Sequence, residues 1–243
     1  GTKITAKNNK KQNQQKEQRK IIDDFYKQAK DTEKDYYNEV GDFLEMLRSS
    51  GFRPGLELLK VKRSQLRYIP RPNYPKFPIL EISLIEHKKN SKGNLQKVHR
   101  QTINDYFTYN IYQPKMMKRY PNATEFDYLF FPKLKDRQKL YDKIRKDFVR
   151  VSRKLELYLK TGTPRPLYSF RHSFITQRDR KNVPTNVVSI HSNTSDEMIR
   201  KYYRSKSEYQ MSLDHSKLFP ESNDFIQKLE KQTTKNQNKK SDK

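Results

Sequence analysis

The chain has 243 residues, with 53 Lys and Arg against 28 Asp and Glu, a formal net charge of +25. A field of that sign attracts polyanions and suits small neutral ligands poorly, so nucleic acid is the first candidate partner and an anionic membrane surface the second. Cysteine is absent, which removes disulfide frameworks and thiolate metal sites, and no apolar run approaches the roughly 20 residues of a membrane span. With no charged-then-apolar signal segment at the start, the composition predicts a cytoplasmic protein with no membrane partner. Apolar residues are only 32% of the chain, but 16 Tyr and 13 Phe supply bulky core material. The expectation is a real core with solvated ends. The opening Gly-Thr reads as a fragment or a processed chain.

Residues 1 to about 20, "GTKITAKNNKKQNQQKEQRK", are Lys, Asn and Gln with almost nothing apolar. The composition predicts a partly disordered basic tail or linker remnant over residues 1–34, or a basic arm along phosphates. "YYNEVGDFLEMLRSSG" puts Tyr36, Val40, Phe43, Leu44 and Leu47 on one helical face and stops at Gly51. "RPGLELLKVKRSQL" reads as a short second helix, with Pro54 where a first turn tolerates it. The period then changes. Ile82 and Leu84 alternate, a polar turn follows, and Val98, Gln101, Thr102 and Ile103 form a far arm. This is an antiparallel hairpin with Lys88, Lys89 and Lys92 at its tip. "DRQKLYDKIRKDFVRVSRKLELYL" returns to helix on a stripe of Leu140, Ile144, Phe148, Val151 and Leu155. "LYSFRHSFITQRDRKN" predicts another helix. "SDEMIRKYYR" predicts one more, with Ser195 as N-cap and Asp196 and Glu197 in its first turn. No internal repeat is present. The predicted fold is mainly α with a small antiparallel β-sheet, its core over about residues 35–215, and a basic C-terminal tail over 216–243.

The usual catalytic devices are missing from the sequence. No P-loop occurs, and the six glycines are scattered. His87, His99, His172, His191 and His215 lie apart, without helical metal spacing, and no GxSxG elbow exists. Most carboxylates sit beside Lys or Arg, and the adjacent pair Asp23-Asp24 falls near the predicted tail, so a two-metal nuclease is disfavoured. What stands out is Arg171-His172 within an apolar frame of Leu167, Tyr168, Phe170, Phe174 and Ile175. A charged arginine there is costly unless an internal partner or an incoming anion meets it.

Three stretches in order carry a resemblance. "SSGFRPGLELLKVKRSQL" resembles the first-arginine motif of the tyrosine recombinases, also called the phage integrase family. "LYSFRHSFIT" resembles their second-arginine motif, and "HSNTSDEMIRKYYR" their closing motif with the nucleophilic tyrosine. The hairpin with lysines at its tip lies between the first two, where this family carries its catalytic lysine. The resemblance covers roughly residues 35–210 and implies a tyrosine recombinase (DNA breaking-rejoining enzyme) catalytic-domain fold. The family's usual N-terminal core-binding domain is not visible.

The family's roles carry over onto matching positions. Arg53 matches the first catalytic arginine, and Glu57 the supporting acid that follows it, one place later than the commonest spacing. Lys89 best matches the hairpin lysine, with Lys88 and Lys92 as alternatives. Arg171 matches the second catalytic arginine. The place three residues earlier, often histidine in the family, is Tyr168 here. His172 is expected to pack behind the site, and His191 matches the His or Trp of the closing motif. Tyr203 matches the nucleophile, with Tyr202 as its rival, since adjacent helical residues point about 100° apart. Each has an ordinary structural reading: helix-end or paired arginines, loop or packed histidines, core tyrosines, solvated lysines.

The resemblance implies site-specific DNA recombination (integration) through a 3′-phosphotyrosyl intermediate, without ATP, metal or other cofactor. Arginines would hold the charge that builds on the phosphate. The tyrosine would lose its proton within a strongly positive site, and a lysine would protonate the leaving 5′-oxygen. The implied partners are double-stranded DNA, a homotetramer on it, and accessory DNA-bending proteins, in a cytoplasmic setting associated with the nucleoid. The alternatives are a DNA-binding relative that has lost the chemistry and a type IB topoisomerase-like strand-relaxing enzyme.

Overall fold

A computed structural model describes residues 2–29, 33–72, 79–85, 98–103, 108–159, 161–181, 183–192 and 194–200. Helix α1 (Thr2–Gln28) leads into α2 (Lys34–Ser50) and the short α3 (Leu56–Leu59). A 3₁₀ turn at Arg63–Gln65 opens into strand β1 (Leu66–Ile69). Strands β2 (Ile79–Ile85) and β3 (Val98–Ile103) follow, then a π-helical stretch at Thr108–Met117. The remaining helices are α4 (Arg137–Lys154), α5 (Ser169–Arg180), α6 (Thr185–Ser192) and the turn α7 (Asp196–Met198). The architecture is mainly helical with one small antiparallel sheet, as the sequence pattern predicts.

The first helix corrects the expectation of a solvated tail. Residues 2–28 are helical, and Ile21, Ile22 and Phe25 are at most 1% exposed. A single apolar cluster, "IIDDF", is enough to dock the inner end of a helix whose outer sequence is almost wholly polar. Polar bonds add to the docking. Lys154 pairs with Asp24 at 2.6 Å, Arg165 with Glu17 at 2.7 Å, and the Gln18 amide donates to the carbonyl of Ser169. Composition averaged over the tail hid this local stripe.

Helix α2 ends where predicted. Gly51 adopts a left-handed conformation (φ 70°) and its N–H closes on Leu47 O, the geometry that glycine takes without a Cβ penalty. The helix is more deeply placed than a one-face stripe implies. Besides Val40, Phe43, Leu44 and Leu47 it buries Glu39, Asp42 and Glu45, three and six residues apart on a second face. Each acid has partners. Glu45 meets Arg19 and Arg48, and Asp42 meets Arg119 at 2.9 Å and the Tyr26 hydroxyl at 2.8 Å. Glu39 accepts from the Tyr120 hydroxyl and the N–H of Phe131. Burial pushes the Glu39 carboxyl up to about 7, against those two hydrogen bonds that favour its charged form.

The predicted second helix is shorter than the sequence suggested. Pro54 and Gly55 form a turn, α3 holds only one turn, and "RSQL" leaves the helix for β1. Alternation places the sheet correctly. β2 pairs antiparallel with β3, Ile82 facing Gln101 and Leu84 facing His99, while β1 adds a third strand on the other edge, Leu66 facing Ile82. Ile82 and Leu84 are buried as the hairpin reading requires. Its tip, with Lys88, Lys89 and Lys92, lies outside the described residues.

Helix α4 buries Leu140, Ile144, Phe148 and Val151, with Leu155 packed at the edge, and Asp136 caps it by accepting from Lys139 N. These side chains join those of α1, α2 and the sheet in one core. A second, smaller cluster of Phe174, Ile175, Val188 and Ile199 binds α5, α6 and the start of the closing segment together.

Two tests follow from this packing. Phe25→Ala should cost about 3–5 kcal/mol of unfolding free energy in denaturant titration, whereas a side chain on a solvated tail would change stability by less than about 0.5 kcal/mol. For Glu39 the folded value lies above its ordinary 4.5, so the native state holds the proton longer than the unfolded chain. Stability should therefore fall as pH rises from about 4.5 to about 7. Glu39→Gln, which cannot ionise, should flatten that part of the stability curve; an unchanged slope would show that the carboxyl titrates normally.

Candidate active site

Four of the five residues that frame Arg171 are buried, and so is the arginine. Leu167, Phe170, Phe174 and Ile175 are at most 5% exposed, and Arg171 is 2% exposed. Its guanidinium donates through Nη1 to the carbonyl of Gly51 at 2.8 Å. Nη2 donates to the carbonyl of Ser192 at 2.5 Å and to the Thr194 hydroxyl. Internal acceptors from two distant stretches therefore answer the cost of burying this charge. One is the end of α2; the other is the end of α6 and the segment after it.

The bond to Gly51 brings the first and second arginine motifs together. Gly51 lies two residues before Arg53, on the loop that carries it. Arg53 Nη1 stands 4.0 Å from Glu57 Oε2, one helical turn on, with both side chains partly exposed. This is a long ion pair between two partly exposed side chains. The Tyr141 hydroxyl donates to the carbonyl of the adjacent Pro54 at 3.4 Å and ties this loop to α4.

Phe174 was visible in the sequence only as part of the apolar frame. In the structure its ring fills the space beside Gly51: a Cβ on that glycine would stand 2.2 Å from the ring. His191 of α6 stacks on the same ring, with centroids 5.6 Å apart and planes at 15°. The Arg178 guanidinium lies over it at 3.2 Å, and burial pulls Arg178 down to about 10. One aromatic thus touches the loop of the first arginine, the helix of the second and the histidine of the closing motif. Its position three residues after Arg171 is the signal that could have singled it out.

Tyr168 stands at the start of α5, 46% exposed, on the turn that precedes Arg171. His172 is half-buried, and its N–H donates to the carbonyl of Tyr168. Ser195 caps α7, accepting from Met198 N at 3.3 Å, as predicted. Lys89, Tyr202 and Tyr203 lie outside the described residues. The helices that carry Arg171 and His191 are in contact, and Arg171 bonds to the loop that leads to Arg53. Thr194, which sequence reading passed over, bonds to Arg171. Nothing in its type marked it, and only its place inside the closing motif pointed there.

No family model matches the sequence, and neither does any curated protein. Solved structures do match. The chain is similar to the XerA recombinase, with a TM-score of 0.53 and 15% identity over 85% of this chain and 62% of that one. It is similar to the XerH site-specific recombinase bound to a palindromic difH substrate in a post-cleavage complex, with a TM-score of 0.56 and 14% identity over 85% of this chain and 52% of that one. The Tn1549 transposon integrase in complex with circular intermediate DNA gives a TM-score of 0.53 and 18% identity, over 80% and 61%. The fold is that of the tyrosine recombinase catalytic domain. The chain spans about half to three-fifths of the length of these structures. Among the described residues no helix is long and apolar enough to cross a membrane.

The Gly51 junction gives a direct test. Gly51→Ala adds the roughly 1–2 kcal/mol cost of a left-handed non-glycine residue to a collision with Phe174. Chemical denaturation should show a loss larger than that backbone cost alone. A loss below about 1 kcal/mol would mean that the Arg53 loop shifts freely.

Proposed function

We propose that this chain is the catalytic domain of a site-specific DNA recombinase, an integrase, that cleaves and rejoins DNA through a 3′-phosphotyrosyl intermediate. The observation that carries the reading is the junction at Gly51. A buried arginine on one motif is hydrogen-bonded to the loop that presents the first motif's arginine, 120 residues away in sequence. Two guanidinium groups converging on one scissile phosphate are what this reaction needs, because charge builds on the non-bridging oxygens as phosphorus becomes pentacoordinate. The net charge of +25 supports a polyanionic partner. The similar structures include recombinases and integrases bound to DNA.

In this reading Tyr203 Oη attacks phosphorus, and the P–O5′ bond breaks. The tyrosine proton leaves to a base or to solvent, helped by the surrounding positive charge. Lys89 gives a proton to the departing 5′-oxygen. Arg53 and Arg171 clamp the phosphate, Glu57 orients Arg53, and His191 hydrogen-bonds to it. Tyr168 occupies the place beside the phosphate that is often histidine in the family. Rejoining is the reverse, with a 5′-hydroxyl of the exchanged strand attacking the phosphotyrosine. The bond energy stays in the ester, so the cycle draws on no ATP. Strand exchange requires two paired sites, hence a homotetramer on DNA, with accessory bending proteins where the sites must be brought together. A DNA-binding relative without cleavage is the second reading, favoured by Tyr168 and by the internal partners that Arg171 already has.

A duplex nicked near the cleavage point traps the covalent adduct and separates the two readings. Wild type should form protein-linked DNA, and mass spectrometry should place it on Tyr203. Tyr203→Phe should bind DNA and form none; adducts that vanish only in Tyr202→Phe would move the nucleophile by one residue. Arg53→Lys and Arg171→Lys should each cut the cleavage rate on the order of 100- to 1,000-fold, since lysine lacks the planar two-donor fork. No adduct with wild type on any nicked duplex would favour the non-cleaving relative.

A further inference from the structure

The hydrogen bonds of Arg171 put a constraint on the proposed phosphate clamp. A guanidinium grips an anion bidentately through one of two forks, Nε with Nη2 along its side or Nη1 with Nη2 at its end. The third edge faces the arginine's own Cδ. Both forks use Nη2, which has two hydrogens. One goes to Ser192 O at 2.5 Å and the other to Thr194 Oγ1. The Thr194 hydroxyl in turn donates its own proton to Ser192 O at 3.4 Å, so both oxygens stand within reach of Nη2.

A phosphate can complete either fork only by displacing one of them. Ser192 O belongs to the main chain at the end of α6, in a residue that is 1% exposed and whose hydroxyl is itself bonded to Val188 O. Thr194 is half-buried, and its acceptor is a side-chain hydroxyl that one torsion moves. A charged phosphate oxygen also outbids a neutral hydroxyl for a guanidinium hydrogen, since charge-assisted bonds are about twice as strong.

We infer that Thr194 is a positioning residue that latches Arg171 until a phosphate oxygen takes the place of its hydroxyl. This rests on the recombinase reading above. Before DNA arrives, the latch keeps Nη2 satisfied in a buried site. When the phosphate binds, Thr194 is released. Thr194 immediately precedes Ser195, the cap of α7, on the chain that runs on to Tyr203.

The test compares Thr194→Val, which keeps the shape but has no acceptor, with Thr194→Ser, which keeps the acceptor. Both are made in wild-type and Arg171→Lys backgrounds, and a duplex lacking any nick is the binding probe. Thr194→Val should melt lower than wild type without DNA, because a buried N–H is left unmet. It should bind duplex tighter by roughly threefold to tenfold, the worth of one competing hydrogen bond. Thr194→Ser should restore wild-type values, and both effects of valine should disappear when residue 171 is lysine. Equal DNA affinity for valine and serine variants, weaker binding by valine, or an effect that persists with Arg171→Lys each overturns the latch. Failure of the recombinase reading looks different. Wild type would then form no covalent adduct on the nicked duplex, while the melting cycle would still show the coupling of Thr194 to Arg171.

Discussion

The described part of this fold depends on one buried cation. Arg171 cannot be placed at 2% exposure without acceptors, because an unmet guanidinium hydrogen in the interior costs on the order of 1–3 kcal/mol. Its acceptors come from residues 120, 21 and 23 positions away. Meeting that one requirement fixes the end of α2 against α5, and α5 against the end of α6. Phe174 and its cluster fill the space between them with apolar area, so the polar constraint and the packing agree on the same arrangement. That is how a chain with few apolar residues achieves a unique junction at this point.

The same logic governs the acids of α2. A chain with 53 cations and 28 anions gains little from carboxylates on its surface, where ion pairs are weak and screened. Glu39, Asp42 and Glu45 instead lie inside, each holding a partner from another part of the chain. Their desolvation is unfavourable taken alone. What they provide is register: Arg19 and Tyr26 of α1 and Arg119 and Tyr120 beyond the π-helical stretch all find their depth against one helix. Drawing acids inward also leaves the outer faces more positive, which suits an anionic partner.

Much of this was legible in the sequence, for physical reasons that differ by element. The α2 and α4 stripes repeat at helical spacing with large side chains, and Gly51 and Ser195 have the chemistry of their caps, so both ends read correctly. Ile82 and Leu84 alternate, which is enough for a strand. The helix over residues 2–28 did not read, because three apolar residues in a polar stretch dock a helix without changing its composition. β1 did not read either, since "LRYI" is too short to separate from the helix before it, and only its pairing with β2 makes it a strand. Around Arg171, residue type singled out Arg53, Arg171 and His191 as candidates. It could not give Thr194 or the carbonyl of Ser192, because what they contribute is position.

That distinction bears on how such a fold persists at 14–18% identity to its structural neighbours. Two of the three acceptors of Arg171 are main-chain carbonyls, at Gly51 and Ser192. Every amino acid supplies a carbonyl, so these bonds place no demand on residue type except where the backbone is unusual. At Ser192 the backbone is helical and the demand is slight. At Gly51 it is left-handed and crowded by Phe174, and the demand is severe. The framework that holds the arginine is thus specified by few side chains: the arginine itself, one glycine and one aromatic ring. The rest of the sequence is left free to vary as long as it supplies apolar faces of the right period. A polar junction that runs through the backbone therefore leaves most of the residue types around it unconstrained.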